Sequence, residues 1–301
     1  MKTQKIGDMT IDTVVEMSHK WFDATWLYPT ITDEMIQKNK DWISAMLLDP
    51  VNHKVALSFH SFLIRTPNMN IIVDTCNGNH KPRLPKHPWF NMLASNEYLT
   101  SLASHGLQPD DIDVVLCTHL HTDHVGWNTQ LVDGKWVPTF PNARYVWAKQ
   151  EFDYLYEQYK ANPDVPLASG SFNDSVLPVL EAGQVELVDM NHTVDTHLDD
   201  KVWMEPATGH TKGHVAIHVE GKDGHAVMTG DIFHHPIIFA EPSLSSLADI
   251  DPEQLLKTRL GIMEKCCDTD TLLMTGHFPA PTAGRLVSEK GHIRFRYCEE
   301  C

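Results

Sequence analysis

Apolar and β-branched runs bounded by turn residues alternate along the chain with segments of helical spacing. Val55–Ile64 and Asn70–Asp74 predict strands joined through a turn at Pro67-Asn68, with Asp74 at the end of the second. Ser95–His105 predicts a helix closed by Gly106, and Asp113–Thr118 a short buried strand after it. Ala143–Trp147 and Gln150–Tyr159 give a further strand and helix. Val185–Val188, Val202–Pro206, Val215–Val219 and Ala226–Thr229 read as a run of strands. Asp251–Lys265, with Pro252 near its first turn, predicts a helix, and Thr271–Thr275 reads as the final core strand. Two strand-rich halves with helices outside them predict an α/β chain built as a layered sandwich.

Two segments fit that pattern poorly. Lys20–Pro50 carries Trp21, Phe22, Trp26, Leu27 and Tyr28 ahead of an amphipathic stretch, and Lys81–Phe90 is rich in Pro and ends on Trp89 and Phe90. Aromatics in irregular segments either plug a core or line the mouth of an apolar pocket. No internal repeat, low-complexity run or linker interrupts the chain, so residues 1–301 read as one domain, with 20–50 and 81–105 as pocket-lining or interface decorations.

Composition narrows the partners. The chain has 24 Lys and Arg against 40 Asp and Glu, a formal net charge of -16, which disfavours phosphate backbones and argues against nucleic acid. No stretch approaches the ~20 uncharged apolar residues of a membrane span. The N-terminal residues show no basic segment followed by an apolar run, so no secretory signal is read. Six cysteines spread thinly over the chain read as reduced thiols in a cytoplasmic protein; Cys298 and Cys301 have zinc-knuckle spacing without a second pair and read as free.

The 19 histidines change the picture, because imidazole is the commonest metal ligand. The strand Asp113–Thr118 runs into His119-Leu120-His121-Thr122-Asp123-His124. Alternate residues of an extended backbone face the same way, so His119 and His121 point together, and the following turn can bring Asp123 and His124 to the same place. His210 and His214, Asp231, and His277 each follow a strand end and a Gly. Singly, each reads as a structural turn more readily than as a ligand. Together they form the set that two metals would need, gathered from several loops at one edge of a sheet.

The ordered motifs from His119 to His277 resemble the metallo-β-lactamase superfamily, whose dinuclear hydrolases carry HxHxDH, then His, then Asp, then His. The resemblance implies a four-layer αββα sandwich, the metallo-β-lactamase fold, and places a structural Asp at Asp74 in Val73-Asp74-Thr75. It assigns His119, His121 and His210 to one divalent ion and Asp123, His124 and His277 to a second, with Asp231 bridging them. In the family's GHTxGH-type segment the first histidine is the ligand, which selects His210 and leaves His214 behind it. Gly230-Asp231-Ile232-Phe233-His234, Gly276-His277-Phe278-Pro279-Ala280-Pro281 and Gly291-His292-Ile293-Arg294-Phe295-Arg296 resemble the lactonase and methyl-parathion-hydrolase-like branch. Small acyl-homoserine-lactone hydrolases usually carry Tyr three residues after the bridging Asp; here that position is His234.

The activity implied is hydrolysis of lactones or esters, acyl-homoserine-lactone-type or aryl, by hydroxide shared between two ions. Asp231, Asp123 and His234 are the expected catalytic groups, with His234 reading equally well as a residue that only shapes the pocket. Zn²⁺ is the expected metal, with Mn²⁺, Co²⁺ or Fe²⁺ as alternatives. Phosphotriester hydrolysis is the second reading; a glyoxalase II-like thioesterase and a non-catalytic metal-binding protein follow. Phe22, Trp26, Trp89, Phe90, Trp127, Phe233 and Phe239 are expected to wall a pocket for a small apolar substrate. Thr118 and Asp74 are expected to orient the ligating imidazoles. A homodimer is expected from the family resemblance.

Overall fold

The computed structural model describes residues 1–85, 87–163 and 165–298. One sheet runs in the order Gln4–Ile6, Met9–Asp23, Lys54–Arg65, Asn70–Val73, Val114–Leu116, Arg144–Ala148, Val185–Val188, with Leu48–Asp49 beside Lys54–Arg65. The other runs Thr193–His197, Asp200–Pro206, Val215–Gly221, Gly224–Met228, Leu272–Met274, Ala283–Glu289, His292–Tyr297. Their inner faces share one core, in which Phe62, Ile64, Val114 and Leu116 meet Met204, Ile217, Val219 and Met228. The period of two is visible within single strands. Ala226 and Met228 enter this inner core, while Val227 between them joins Leu255, Ile262 and Met263 of the helix Pro252–Cys266 on the outer face. On the opposite outside, Tyr98 and Leu102 of Glu97–Ser104 and Phe152 and Leu155 of Lys149–Ala161 pack on Leu63, Val115 and Tyr145. Helix, sheet, sheet and helix stack as the four-layer α/β sandwich expected from the sequence.

Two strand features differ from the sequence expectation. Met9–Asp23 is a 15-residue strand that the hydrophobic pattern does not reveal, because Asp12, Thr13 and Glu16 occupy buried positions. Glu16 belongs there because its carboxylate accepts hydrogen bonds from the Asn77 amide and side chain, the Gly78 amide and the Trp127 indole. Thr271–Thr275 is not the last core strand: Ala283–Glu289 and His292–Tyr297 close the second sheet as a hairpin. Its two-residue loop puts Lys290 and Gly291 at φ 51° and 79°, as a primed hairpin turn requires.

The irregular segments are fastened from below. Within 20–50, Thr32 caps Asp33–Asn39 by accepting from the Met35 amide, and Tyr28, Ile36 and Leu47 join the core that contains Phe233 and Ile237. The 81–105 segment is held by a forked ion pair from Arg83 to Asp174, at 2.7 and 2.9 Å, and by the Lys81 ammonium on the Thr129 hydroxyl. Among the described residues no helix is long and apolar enough to cross a membrane. Cys76, Cys117, Cys266 and Cys267 carry free thiols. Cys298 is disulfide-bonded, which corrects the reading of it as free, since spacing alone does not show whether a thiol is oxidised; Cys301 lies outside the described residues.

Candidate metal centre

Every residue of the histidine constellation sits just beyond the C-terminal end of a strand. Val114–Leu116 delivers His119 to His124, Asp200–Pro206 leads to His210, Gly224–Met228 to Asp231, and Leu272–Met274 to His277. Gly224–Met228 and Leu272–Met274 pair in parallel, so the loops bearing Asp231 and His277 leave the sheet side by side. Gly230 makes the approach possible: its φ is +47°, and a Cβ there would lie 2.7 Å from both His214 Nε2 and Thr118 Oγ1. Gly209, at φ +127°, lets the His210 loop press on the backbone of Leu255.

The side chains converge on Asp231. Its Oδ1 lies 3.1 Å from His124 Nε2 and 2.9 Å from His277 Nε2. Its Oδ2 lies 3.3 Å from His210 Nε2, 3.7 Å from His119 Nε2 and 3.1 Å from His234 Nε2. One carboxylate oxygen therefore faces each half of the constellation. His119, His121, His210 and Asp231 offer ligand atoms all within 4.8 Å of one another, and so do Asp123, His124 and His277. His119 Nε2, His124 Nε2 and Asp231 Oδ1 are buried yet close no hydrogen bond of ordinary geometry among the described residues. Unsatisfied nitrogen and oxygen lone pairs gathered around one carboxylate are costly unless a cation takes them up, and the donor set suits divalent zinc-like ions.

Four of the ligand-type imidazoles, those of His119, His124, His210 and His277, are held from behind. Asp74 Oδ2 lies 2.8 Å from His124 Nδ1 and also accepts from the Thr118 hydroxyl, which contacts His119 Nδ1 at 3.1 Å. Asp74 reaches this position from a left-handed backbone, φ 58°, a strained conformation retained at the centre's edge. Asp249 Oδ1 lies 2.6 Å from His210 Nδ1 and is itself held by Ser245 and the Ser246 amide. The Ser58 carbonyl lies 3.1 Å from His277 Nδ1, while the Ser58 amide donates to the His277 carbonyl. Such contacts on the far nitrogen select the tautomer that leaves Nε2 free to face the centre. His214 stands behind the others, its Nε2 accepting from the Asp231 amide at 3.2 Å.

The electrostatics follow the same plan. Burial works to raise the Asp231 carboxyl, but His124, His277 and His234 outweigh it and hold it well below the usual carboxylate range. Burial, reinforced by His210, pushes His121 down to about 3, so this imidazole keeps its lone pair at neutral pH. Burial also opposes charge on Asp249, but the His210 hydrogen bond prevails and keeps it ionised.

The expected pocket wall is only partly assembled. Phe22 and Trp26 stack at 4.8 Å, Trp89 meets them at 5.7 and 4.9 Å, and Phe90 lies 6.3 Å from Phe22. Phe59, which sequence reasoning did not select, connects this group to the centre, 4.9 Å from Phe90 and 5.0 Å from His277. Phe233 and Phe239 lie 4.8 Å apart inside the apolar core with Phe278 and Phe295, where they fill space. Trp127 does not join the wall: it lies among the helices outside the first sheet, stacked on Tyr98, its indole N–H held by Glu16. Asp249, Ser58 and Tyr28 were also missed. Tyr28 is fully buried with its ring 6.4 Å from His234. A Ser-rich loop after Pro242 held the signal for Asp249, but nothing local ties it to His210, 39 residues away.

Residues 60–277 match the family model described as Metallo-beta-lactamase superfamily. No curated protein matches the chain. Among solved structures the chain is similar to AidC, described as a dizinc quorum-quenching lactonase in complex with a product, N-hexanoyl-L-homoserine, with a TM-score of 0.75 and 20% identity over 100% of this chain and 98% of that one. It is also similar to the hydrolase AbOPH, with a TM-score of 0.76 and 22% identity over 99% and 97% of the two chains. A probable metal-dependent hydrolase from Staphylococcus aureus follows, with a TM-score of 0.72 and 21% identity over 99% and 100%. At these identities the likeness is one of fold.

Proposed function

The chain belongs to the metallo-beta-lactamase superfamily and is a metallo-hydrolase; on that premise we propose that it is a dinuclear hydrolase of lactones or esters, with Zn²⁺ as the metal and acyl-homoserine-lactone-type or aryl lactones as the substrate class. The observation that carries the reading is the division of Asp231, with Oδ1 turned to His124 and His277 and Oδ2 to His119 and His210. His119, His121 and His210 would hold one ion, Asp123, His124 and His277 the other, and Asp231 both. Two such ions supply Lewis acidity and lower the pKa of water toward ~7.

The protein's own groups do the rest. Asp74, Thr118, Asp249 and the Ser58 carbonyl keep the ligating imidazoles aimed, so little reorganisation accompanies reaction. Asp231 compensates positive charge at the centre, and Asp123, partly exposed beside His277, is a carboxylate that incoming substrate can reach. The row from Phe59 through Phe90 and Phe22 to Trp26 and Trp89 offers an apolar bed for an acyl chain or aromatic group beside His277. That bed also favours the second reading, hydrolysis of phosphotriesters with aryl leaving groups. The acidic chain fits a small uncharged substrate. The half-exposed Trp21 and Trp89 and the exposed Met46 and Leu84 support a homodimer through the same decorations.

Metal analysis of the purified protein, with turnover of acyl-homoserine lactones, aryl lactones, aryl esters and a paraoxon-like triester before and after chelation, tests the reading. Two ions per chain and chelator-sensitive lactone or ester turnover are expected. Loaded protein that turns over none of these sinks the substrate class, and a higher kcat/KM on the triester exchanges the two readings.

A further inference from the structure

His234 stands where the family resemblance leads one to look for tyrosine, and its geometry differs from that of a mere neighbour. Its Nε2 lies 3.1 Å from Asp231 Oδ2, its ring is parallel to that of His277 at 5.6 Å, and its ring centre is 5.4 Å from His210. His234, Asp231 and His277 offer ligand atoms all within 4.8 Å of one another, the same closeness that defines the other two groups. We propose that His234 is an additional imidazole donor to the metal centre around Asp231 and His277, and that it is a displaceable one. The inference rests on the dinuclear reading above.

The displaceability follows from what lies behind the ring. The Nδ1 atoms of His119, His124, His210 and His277 each meet an oxygen: Thr118, Asp74, Asp249 and the Ser58 carbonyl. His234 Nδ1 is buried and meets no hydrogen-bond partner among the described residues. Its ring lies edge-on to that of Tyr28, with ring centres 6.4 Å apart. A far-side partner fixes the ring and raises its basicity, so a donor without one, as His234 is, is weakly held. A catalytic centre needs a position that substrate can open, and the departure of His234 breaks no anchoring contact at its Nδ1. Tyrosine at this position would contribute a weak neutral phenol; histidine adds a nitrogen donor that favours zinc- or cobalt-like ions over manganese.

The test is metal binding, read independently of turnover. Apo wild type, His234→Ala and His234→Gln are titrated with Zn²⁺ against a chromophoric chelator, and with Co²⁺ while its visible bands are recorded. His234→Gln can still donate a hydrogen bond to Asp231 but is a poor ligand, and thermal unfolding of the apo proteins checks that each is folded. The expected result is two ions in every protein, with the weaker one bound about tenfold less tightly in both variants, and altered Co²⁺ bands in both. A His234→Gln protein matching wild type in affinity and spectrum overturns the inference and leaves His234 as a hydrogen-bond partner of Asp231. Wild type that binds fewer than two ions overturns the dinuclear reading itself, a different result from loss confined to the variants.

Discussion

Two clusters of imidazoles in this molecule look alike in composition and differ in what they can do. At the strand ends, His119, His121, His124, His210 and His277 surround a carboxylate, and their free nitrogens face inward. On the second sheet, His218 stacks on Trp203 at 4.1 Å, bonds His225 through Nδ1 at 2.8 Å and meets Glu205 through Nε2 at 3.1 Å, while His225 reaches Thr271. The second cluster spends its lone pairs and protons on its own members. The first leaves His119 Nε2, His124 Nε2 and Asp231 Oδ1 without a hydrogen bond among the described residues and pins the opposite nitrogens of His119, His124, His210 and His277. What separates a candidate metal centre from a polar patch is therefore the direction of the free lone pairs.

Breaking the first cluster at its hub should have the largest effect. Asp231→Asn removes the charge that both halves share; kcat/KM should fall by about 10³-fold, and metal analysis should show fewer bound ions. His218→Gln in the second cluster should change neither measurement.

The anchors come next. Asp249→Ala frees His210 Nδ1 and should weaken metal binding by about 10- to 100-fold in chelator competition, with a smaller change in thermal stability. If Asp249→Ala binds metal as wild type does, anchoring from behind is not what distinguishes the two clusters.

The second cluster should show itself in acid. Burial first, then His225, pushes His218 down to about 4 from 6.5, against the opposing pull of Glu205, with Lys265 adding to the depression. The unfolded chain thus takes up this proton at higher pH than the folded one. The contribution to stability is complete above pH 6.5 and is lost as pH falls toward 4. Denaturant unfolding of metal-free protein should lose about 3 kcal/mol from this group over that interval, a loss missing from the slope of His218→Gln.

The smallest expected effect lies at the rim of the first cluster. Trp89 is 48% exposed, so Trp89→Ala should leave stability nearly unchanged and raise KM for long-acyl or aryl substrates by about three- to tenfold. Trp127→Ala, in the helical layer, should instead cost about 3–5 kcal/mol of stability with KM unaffected.

The chain's local patterns made much of this legible. Short apolar strands and amphipathic helices report their own burial, so most core elements could be read within a few residues of their ends. The long strand Met9–Asp23 could not, because buried Glu16 is satisfied by Asn77 and Trp127 far along the chain and buried Asp12 by the Thr3 hydroxyl. The centre divided similarly. Ordered spacing singled out His119 to His124, His210, Asp231 and His277 as a set, whereas Asp249 and Ser58 act on His210 and His277 only after the loops have packed. Trp127 was misplaced because an aromatic's sequence position does not say which face of a sheet it ends on.

The amino-acid order by itself determined the period-two and helical patterns that build a layered α/β chain, and the donor types that sit at its strand ends. Only the tertiary structure decided which oxygens back His119, His124, His210 and His277, that His234 Nδ1 has no hydrogen-bond partner among the described residues, and that Phe59 rather than Trp127 adjoins the centre. The reason is physical: periodicity is a property of neighbours along the backbone, while the direction of a lone pair is set by contacts between residues that only packing brings together.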